Sequence, residues 1–150
     1  YTHGGDAIED IVSQNPKTIV DFGCGRNKFV EVMREKGIEA IGVDFASPEA
    51  DIKAPLNKCP LGSDYADTTT CFDVMEHLYE FDVEDALKEM RRIAKPKGNF
   101  WFSISYFPSL NKFEGEGMHR TIKDKEWWVE KISKFGSIED AGRYIFGVWS

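Results

Sequence analysis

Apolar residues along the chain alternate between two spacings, and each change of spacing marks an element. Short apolar runs bounded by turn residues predict strands over 18–21, 39–44, 68–74 and 100–105, with a short additional strand near 50–53. Between them the apolar positions recur at helical intervals. Ile8, Ile11 and Val12 define a first helix, capped by Asp6 and ended by Asn15-Pro16. Phe29, Val30 and Met33 define a second, which stops at Gly37. The clearest stripe is Val83, Ala86, Leu87, Met90, Ile93 and Ala94, opened by Asp82 with Asp85 as a second carboxylate. Trp128, Ile132 and Phe135 mark a last helix behind a cap at Asp124, and Trp127 beside Trp128 cannot share its inward face. Two short strands close the chain, 137–140 and 143–149, joined at Ala141-Gly142.

Strands alternating with helices predict a parallel sheet, and the tight closing turn predicts an antiparallel pair. The expected fold is α/β: a Rossmann-like doubly wound sheet, mostly parallel, with one antiparallel strand at the C-terminal end and helices on both faces. Residues 1–150 are expected to form a single domain, with no repeat or low-complexity tract.

The most informative chemistry lies where the first two strands end. Asp21-Phe22-Gly23-Cys24-Gly25 is an apolar run closing in a carboxylate and a glycine turn, and a second run, Ile41-Gly42-Val43, closes in Asp44. Gly23 and Gly25 permit a tight turn and close approach of a ligand, and Asp44 stands where a carboxylate accepts ribose hydroxyls. A dinucleotide site would place a pyrophosphate at the helix start, where Asp21 would repel it. The glycine that a dinucleotide fingerprint needs three residues after Gly25 is also missing; Lys28 stands there. A nicotinamide-dependent reductase is therefore disfavoured. Two carboxylates around a glycine turn suit a ligand with a ribose and a positive charge, a description that S-adenosylmethionine meets.

In these segments the chain resembles the class I S-adenosylmethionine-dependent methyltransferases, chiefly their small-molecule branch. Residues 21–25 are similar to the family's first motif, Val43-Asp44 to its ribose-binding acid, and Ala50-Asp51-Ile52 to its adenine-contacting segment. Residues 71–78 resemble the stretch closing strand four, and 92–98 the helix-to-turn stretch before strand five. Asn27 replaces the third glycine of the first motif, and Pro96-Lys97-Gly98 the usual Pro-Gly-Gly turn. A parallel sheet ending in a hairpin-connected antiparallel strand is this family's topology. The resemblance implies S-adenosyl-L-methionine as cofactor and Asp21, Gly23, Cys24, Gly25, Asp44, Phe45, Asp51, Ile52 and Asp73 as its binding residues. Asp21 would face the ammonium end, Phe45 would pack beside the adenine or in the core, and Asp51 would accept from the adenine amino group.

Chemistry on the acceptor side is less constrained. Asp73, Glu76 and His77 form a D-x-x-E-H pattern similar to the E-x-x-E-H metal-binding stretch of some methyltransferases. The expectation is nevertheless no metal, with Glu76 and His77 lining the pocket; a divalent ion on Asp73, Glu76 and His77 is the alternative. His119, at the end of the long loop 106–121, is a candidate general base beside Asp73 and His77, and Arg120 a candidate partner for an acidic acceptor. Tyr106, Phe107 and Phe113 are candidates for an apolar lid.

Charge narrows the substrate. A net charge of −7 disfavours a nucleic acid partner, whose affinity would come mainly from phosphate contacts. The motifs of exocyclic amino methylation and of cytosine-C5 chemistry are both missing: Val74-Met75 follows Asp73, and Cys59-Pro60 is reversed and misplaced. A small-molecule acceptor is expected. Cys24, Cys59 and Cys71 have no metal-like spacing and are read as buried thiols of a cytoplasmic protein. No membrane span or signal peptide is expected. The other reading is a non-catalytic S-adenosylmethionine-binding module or partner subunit.

Overall fold

In the computed structural model, which describes residues 3–109, 112, 113 and 116–150, the expected helices and strands alternate along the chain. A 3-10 turn at Gly5–Ala7 leads into α1 (Ile8–Ser13), followed by β1 (Thr18–Phe22), α2 (Lys28–Glu35), β2 (Glu39–Asp44), β3 (Ile52–Lys53) and β4 (Ala66–Phe72). A second 3-10 turn, Met75–His77, precedes α3 (Glu80–Ile93) and β5 (Ala94–Ser103). The short pair β6 (Lys112–Phe113) and β7 (Glu116–Gly117) stands apart, before α4 (Lys125–Ser133), β8 (Gly136–Ala141) and β9 (Ile145–Trp149).

The main sheet runs β3-β2-β1-β4-β5-β9-β8. β3, β2, β1, β4 and β5 pair in parallel, whereas β9 is antiparallel to both β5 and β8. Thus β9 is the one reversed strand of the expected fold. Alternation along each strand sends neighbouring residues to opposite faces. Val20, Cys71, Phe100 and Phe102 pack with Val83, Leu87, Met90, Trp128 and Ile132 of α3 and α4. Ile19, Phe72 and Trp101 pack with Ile11, Phe29, Val30 and Met33 of α1 and α2. Because β1 and β4 are neighbours while their connections leave in opposite directions, a crevice opens at the carboxyl ends of these two strands.

Several boundaries differ from expectation for identifiable reasons. Asp6 does not cap α1; its carboxylate accepts from the Tyr144 hydroxyl and pairs with Arg143, while Gly4 at φ 76° opens the turn. α3 starts at Glu80, two residues before Asp82, from a Tyr79 that makes no side-chain cap. The 96–98 stretch is not a turn before β5 but an irregularity within it. The β4/β5 register shifts between Ala66 and Thr68, and Lys97 adopts φ 62°. Pro96 has no N–H to give a regular ladder, so a bulge is the expected response. β4 ends at Phe72, which leaves Asp73 outside the strand at φ 58°.

Asp124 caps α4 as expected, accepting from the Trp127 amide at 3.0 Å. Trp128 is fully buried, whereas Trp127 keeps one ring edge near solvent beneath the ammonium groups of Lys123 and Lys131. Trp128→Ala should therefore cost about 3–5 kcal/mol in chemical denaturation, and a loss below 1 kcal/mol would show that the α4 side of the core is not packed as described.

Candidate functional site

The turn after β1 is built around side-chain-free backbone. Gly23 has φ 76°, and a Cβ added there would lie 2.3 Å from a Val74 methyl. The amides of Gly23 and Cys24 both donate to the Val43 carbonyl, at 2.7 and 3.0 Å. The ends of β1, β2 and β4 are thereby drawn together. At Gly25, φ 54°, an added Cβ would meet no atom within 4 Å, because the position faces open cavity space. Asn27 adopts φ 67° as α2 begins, in keeping with its place where a glycine was expected.

Two adjoining cavities flank this turn. The first, about 430 Å³, is lined by His3, Asp21, Gly23, Cys24, Gly25 and Asp73, among others. The second, about 250 Å³, is lined by Asp44, Phe45, Leu56, Asn57, Val74 and His77, among others. Gly23 and Val74 belong to both walls, so they form a waist between the two spaces. The first cavity carries the carboxylates Asp21 and Asp73 together with Arg26 and Lys28, whereas the second carries Asp44 and Asp82 among mainly apolar walls. An elongated ligand with a cationic end and a nucleoside end matches this arrangement.

Asp21 is 4% exposed and accepts from the Thr70 hydroxyl at 2.7 Å. Burial pushes its carboxyl up to about 7, against the opposing pull of Thr70, and the charge on Asp44 raises it further. Asp44 is held differently. Its Oδ2 accepts from the Gly25 amide at 3.0 Å, and Oδ1 accepts from the amides of Ala46 and Ser47 at 2.9 and 3.0 Å. A carboxylate has about four lone-pair sites, so Oδ2 retains room for one further donor while the others fix its direction. Phe45 is 76% exposed, which removes the core alternative and leaves its ring on the cavity wall.

Asp51, expected to contact a base, is instead engaged within the protein. Its Oδ2 accepts from the Gly42 amide at 2.8 Å, from Arg34 at 2.8 Å and from Asn27 at 3.1 Å. These bonds bind β2 to the start of α2, and Asp51 lines neither cavity. Ile52 packs beside the core as β3 begins, pairing with Val43. Leu56 and Asn57, just beyond β3, take the cavity position expected of the 50–52 segment. Their signal in sequence was position alone, the residues following the carboxyl end of the third strand. His3 was also missed, because a residue near the N-terminus carries no motif.

Cys24 lines the first cavity, but burial and the charges of Asp21, Asp44 and Asp51 push its thiol up to about 12. Such a thiol does not serve as a nucleophile. Cys59 and Cys71 are likewise buried and free.

Beyond the waist lies the third feature. Asp73 accepts from the Ser103 hydroxyl at 3.1 Å and from His3 Nδ1 at 2.8 Å, directing its carboxylate toward the first cavity. It does not join Glu76 and His77 in a ligand set. His119 does: donor atoms of Glu76, His77 and His119 all lie within 4.8 Å of one another. Glu76 is 1% exposed, and burial followed by the charge on Asp73 drives its carboxyl up to about 7. Burial lowers the His77 pKa. The 118–121 segment reaches this cluster because the amides of Arg120 and Thr121 donate to the Glu76 carbonyl and the Thr121 hydroxyl to that of Leu78. Arg120 lies over the Tyr79 ring at 5.0 Å. Tyr106 packs against the core and Phe107 is exposed, while the Phe113 side chain lies outside the described residues.

Comparison with known proteins agrees with this architecture. The sequence model of a family described as a methyltransferase domain matches residues 5–140. Ubiquinone biosynthesis O-methyltransferase of Stutzerimonas stutzeri is 25% identical over 112 residues, 64% of this chain and 47% of the relative. The protein of the same name from Pseudomonas entomophila is 26% identical over 113 residues, with the same coverages of 64% and 47%. The chain thus spans about half the length of these curated relatives. Among solved structures, the 1,6-didemethyltoxoflavin-N1-methyltransferase of Burkholderia thailandensis, with S-adenosylhomocysteine bound, shares the fold at TM-score 0.76 and 16% identity, over 96% of this chain and 76% of that one. A Pyrococcus horikoshii protein aligns at TM-score 0.75 and 15% identity, over 97% and 88%. Among the described residues no helix is long and apolar enough to cross a membrane.

The Asp21 environment makes stability depend on pH with a definite sign. The folded state holds a proton up to about 7, whereas an unfolded aspartate releases it near 3.8, so stability falls as pH rises between these values. Asp21→Asn, neutral throughout, should gain on the native protein by on the order of a few kcal/mol between pH 5 and pH 8. Thermal unfolding of both proteins across that range measures the effect, and parallel curves would show that Asp21 ionises without cost.

Proposed function

The chain belongs to the methyltransferase-domain family, and on that premise we propose that it binds S-adenosylmethionine across the two cavities and methylates a small molecule. The observation that carries this reading is the pair of cavities meeting at Gly23 and Val74, with Asp21 on one side and Asp44 on the other. The cofactor's ammonium end belongs in the first cavity, where Asp21 and Asp73 supply negative charge. Its ribose belongs at Asp44 Oδ2, and its adenine between Phe45 and Leu56. The sulfonium then falls near the waist.

Transfer from a sulfonium is an in-line displacement: the acceptor's lone pair forms the new bond to the methyl carbon as the carbon–sulfur bond breaks toward a neutral thioether. The leaving group is already activated, so the protein's tasks are alignment and exclusion of water. No nucleophilic side chain is required, consistent with the inert Cys24. An acceptor reaching the waist from the side of the Met75–His77 turn would meet Glu76, His77 and His119. Each imidazole directs Nδ1 at a carbonyl and keeps Nε2 as a basic site, so His119 or His77 can take the proton an acceptor hydroxyl or amine must lose. Asp73, turned to His3 and Ser103, acts at the cofactor side. The acidic chain and the modest volume of its cavities fit a small acceptor rather than a nucleic acid.

Titration calorimetry tests the assignment. S-adenosylmethionine and S-adenosylhomocysteine should bind and NAD should not. Asp44→Ala should weaken S-adenosylmethionine by about 1.5–3 kcal/mol and also lower the melting temperature, since three amides lose their acceptor. Asp51→Ala should do the reverse: lose about 1–3 kcal/mol of stability with affinity changed less than about threefold. Comparable affinity losses in both variants would place the nucleoside elsewhere.

A further inference from the structure

We propose that His3 is a positioning residue for the cofactor: by donating to Asp73 it aims that carboxylate at the cofactor's ammonium group. The inference rests on the S-adenosylmethionine reading above and adds to it a residue from outside the sheet. His3 and Asp73 are 70 residues apart in sequence, yet His3 Nδ1 lies 2.8 Å from Asp73 Oδ2. Both line the first cavity, together with Asp21 and Gly23.

The segment ahead of α1 delivers His3 to the cavity without relying on the His3 side chain. Gly4 has φ 76° and lies against the Phe72 ring, which a Cβ at this position would overlap. Asp6 accepts from the Tyr144 hydroxyl and pairs with Arg143, and the Ala7 amide donates to the Gly4 carbonyl at 3.0 Å. Positions 4 and 6 are thus fastened to the end of β4 and to the β8–β9 turn. The His3–Asp73 pair itself is open to water, with side-chain exposures of 62% and 37%, and pairs so exposed add little to stability. Fastening the fold does not account for it.

Direction is what the bond controls. Asp73 stands just beyond β4 at φ 58°, an uncommon backbone state for a residue with a side chain. Its carboxylate is held from two sides: the Ser103 hydroxyl donates to Oδ1 at 3.1 Å, and His3 donates to Oδ2. A carboxylate oxygen only accepts, so His3 Nδ1 carries the proton. Bonds to both oxygens fix the plane of the carboxylate, while each oxygen keeps a lone pair for a further donor. Without His3, the group would be held at Oδ1 alone and could turn about that bond.

The composition of the cavity makes that direction matter. Asp21, the other carboxylate on its wall, is buried and keeps its proton up to about 7. Arg26 and Lys28 line the same space and repel an ammonium group. The amino-acid end of the cofactor carries one charge of each sign, so the cavity must sort them, ammonium toward Asp73 and carboxylate toward the cations. A carboxylate already fixed by His3 and Ser103 does this at lower cost than one that must be ordered on binding.

Calorimetry with S-adenosylhomocysteine and 5′-methylthioadenosine tests the inference, because both are thioethers on the same nucleoside and only the first has the amino-acid portion. His3→Phe keeps a ring but removes the donor. It should weaken S-adenosylhomocysteine by about tenfold and leave methylthioadenosine unchanged, with a native melting temperature. His3→Asn, whose side-chain amide can donate to Asp73 in place of Nδ1, should restore native affinity. In an Asp73→Ala background His3→Phe should cost nothing further, as expected of a residue that acts through another. The proposal is overturned if His3→Phe binds S-adenosylhomocysteine as tightly as the native chain, if both ligands weaken equally, or if the losses add in the double variant. Where methylthioadenosine binds too weakly to measure, the double variant decides alone. A native chain that binds neither S-adenosylmethionine nor S-adenosylhomocysteine removes the cofactor reading and this inference with it; native binding with an indifferent His3 removes only the inference.

Discussion

Contact between Gly23 and Val74 is the constraint on which the site depends. With a Cβ at Gly23 only 2.3 Å from a Val74 methyl, no other residue lets the turn after β1 close against the segment leaving β4. That closure has two consequences. It brings the Gly23 and Cys24 amides onto the Val43 carbonyl, so the ends of β1 and β2 are fixed relative to each other. It also sets Val74 as the waist that divides one crevice into two cavities of different character. Sheet topology supplies the crevice, but this single contact gives it a shape.

Electrostatics then distinguish the two sides. Asp21 and Glu76 are both nearly inaccessible, and burial raises each carboxyl to about 7. Burial thus disfavours the anionic form of each, and a positive charge placed beside either carboxylate would favour it. Asp44 differs because three backbone amides already surround it. It keeps a fixed orientation, which suits hydrogen bonding to a neutral diol better than pairing with a mobile charge. Three carboxylates close to the ends of β1, β2 and β4 thus differ in character because their solvation differs.

Much of this was legible in the chain and some was not, for physical reasons. The glycine turn, Asp44 and the alternating elements announce themselves locally, through strand-end carboxylates and periodicities that follow from backbone geometry. The reversed β9 could be read from the tight turn before it. Asp51 misled because its acidity fits either a ligand or the Gly42 amide and Arg34, and only the fold shows that the protein's own donors surround it. Leu56 and Asn57 have no chemical signature; they matter because β3 is short and ends beside Phe45. The pattern Asp73, Glu76, His77 suggested a set of neighbours in sequence. The turn at 75–77 separates them, since φ 58° at Asp73 sends its carboxylate toward Ser103 and His3.

His119 shows why the last partner could not be read locally. What brings it to His77 is a backbone clamp, the Arg120 and Thr121 amides on the Glu76 carbonyl, and backbone groups carry no sequence identity. That clamp also explains an otherwise odd distribution of polar atoms. Glu76 uses its carbonyl to hold the 118–121 segment and leaves its own Oε1 unpartnered, while both histidines turn Nδ1 outward to carbonyls. If the segment served only to cover a pocket, the simplest packing would let an imidazole N–H satisfy the buried oxygen. Here both available N–H groups point the other way. Donor atoms of Glu76, His77 and His119 thus converge within 4.8 Å of one another because backbone bonds place the 118–121 segment, not because the three side chains bond to one another.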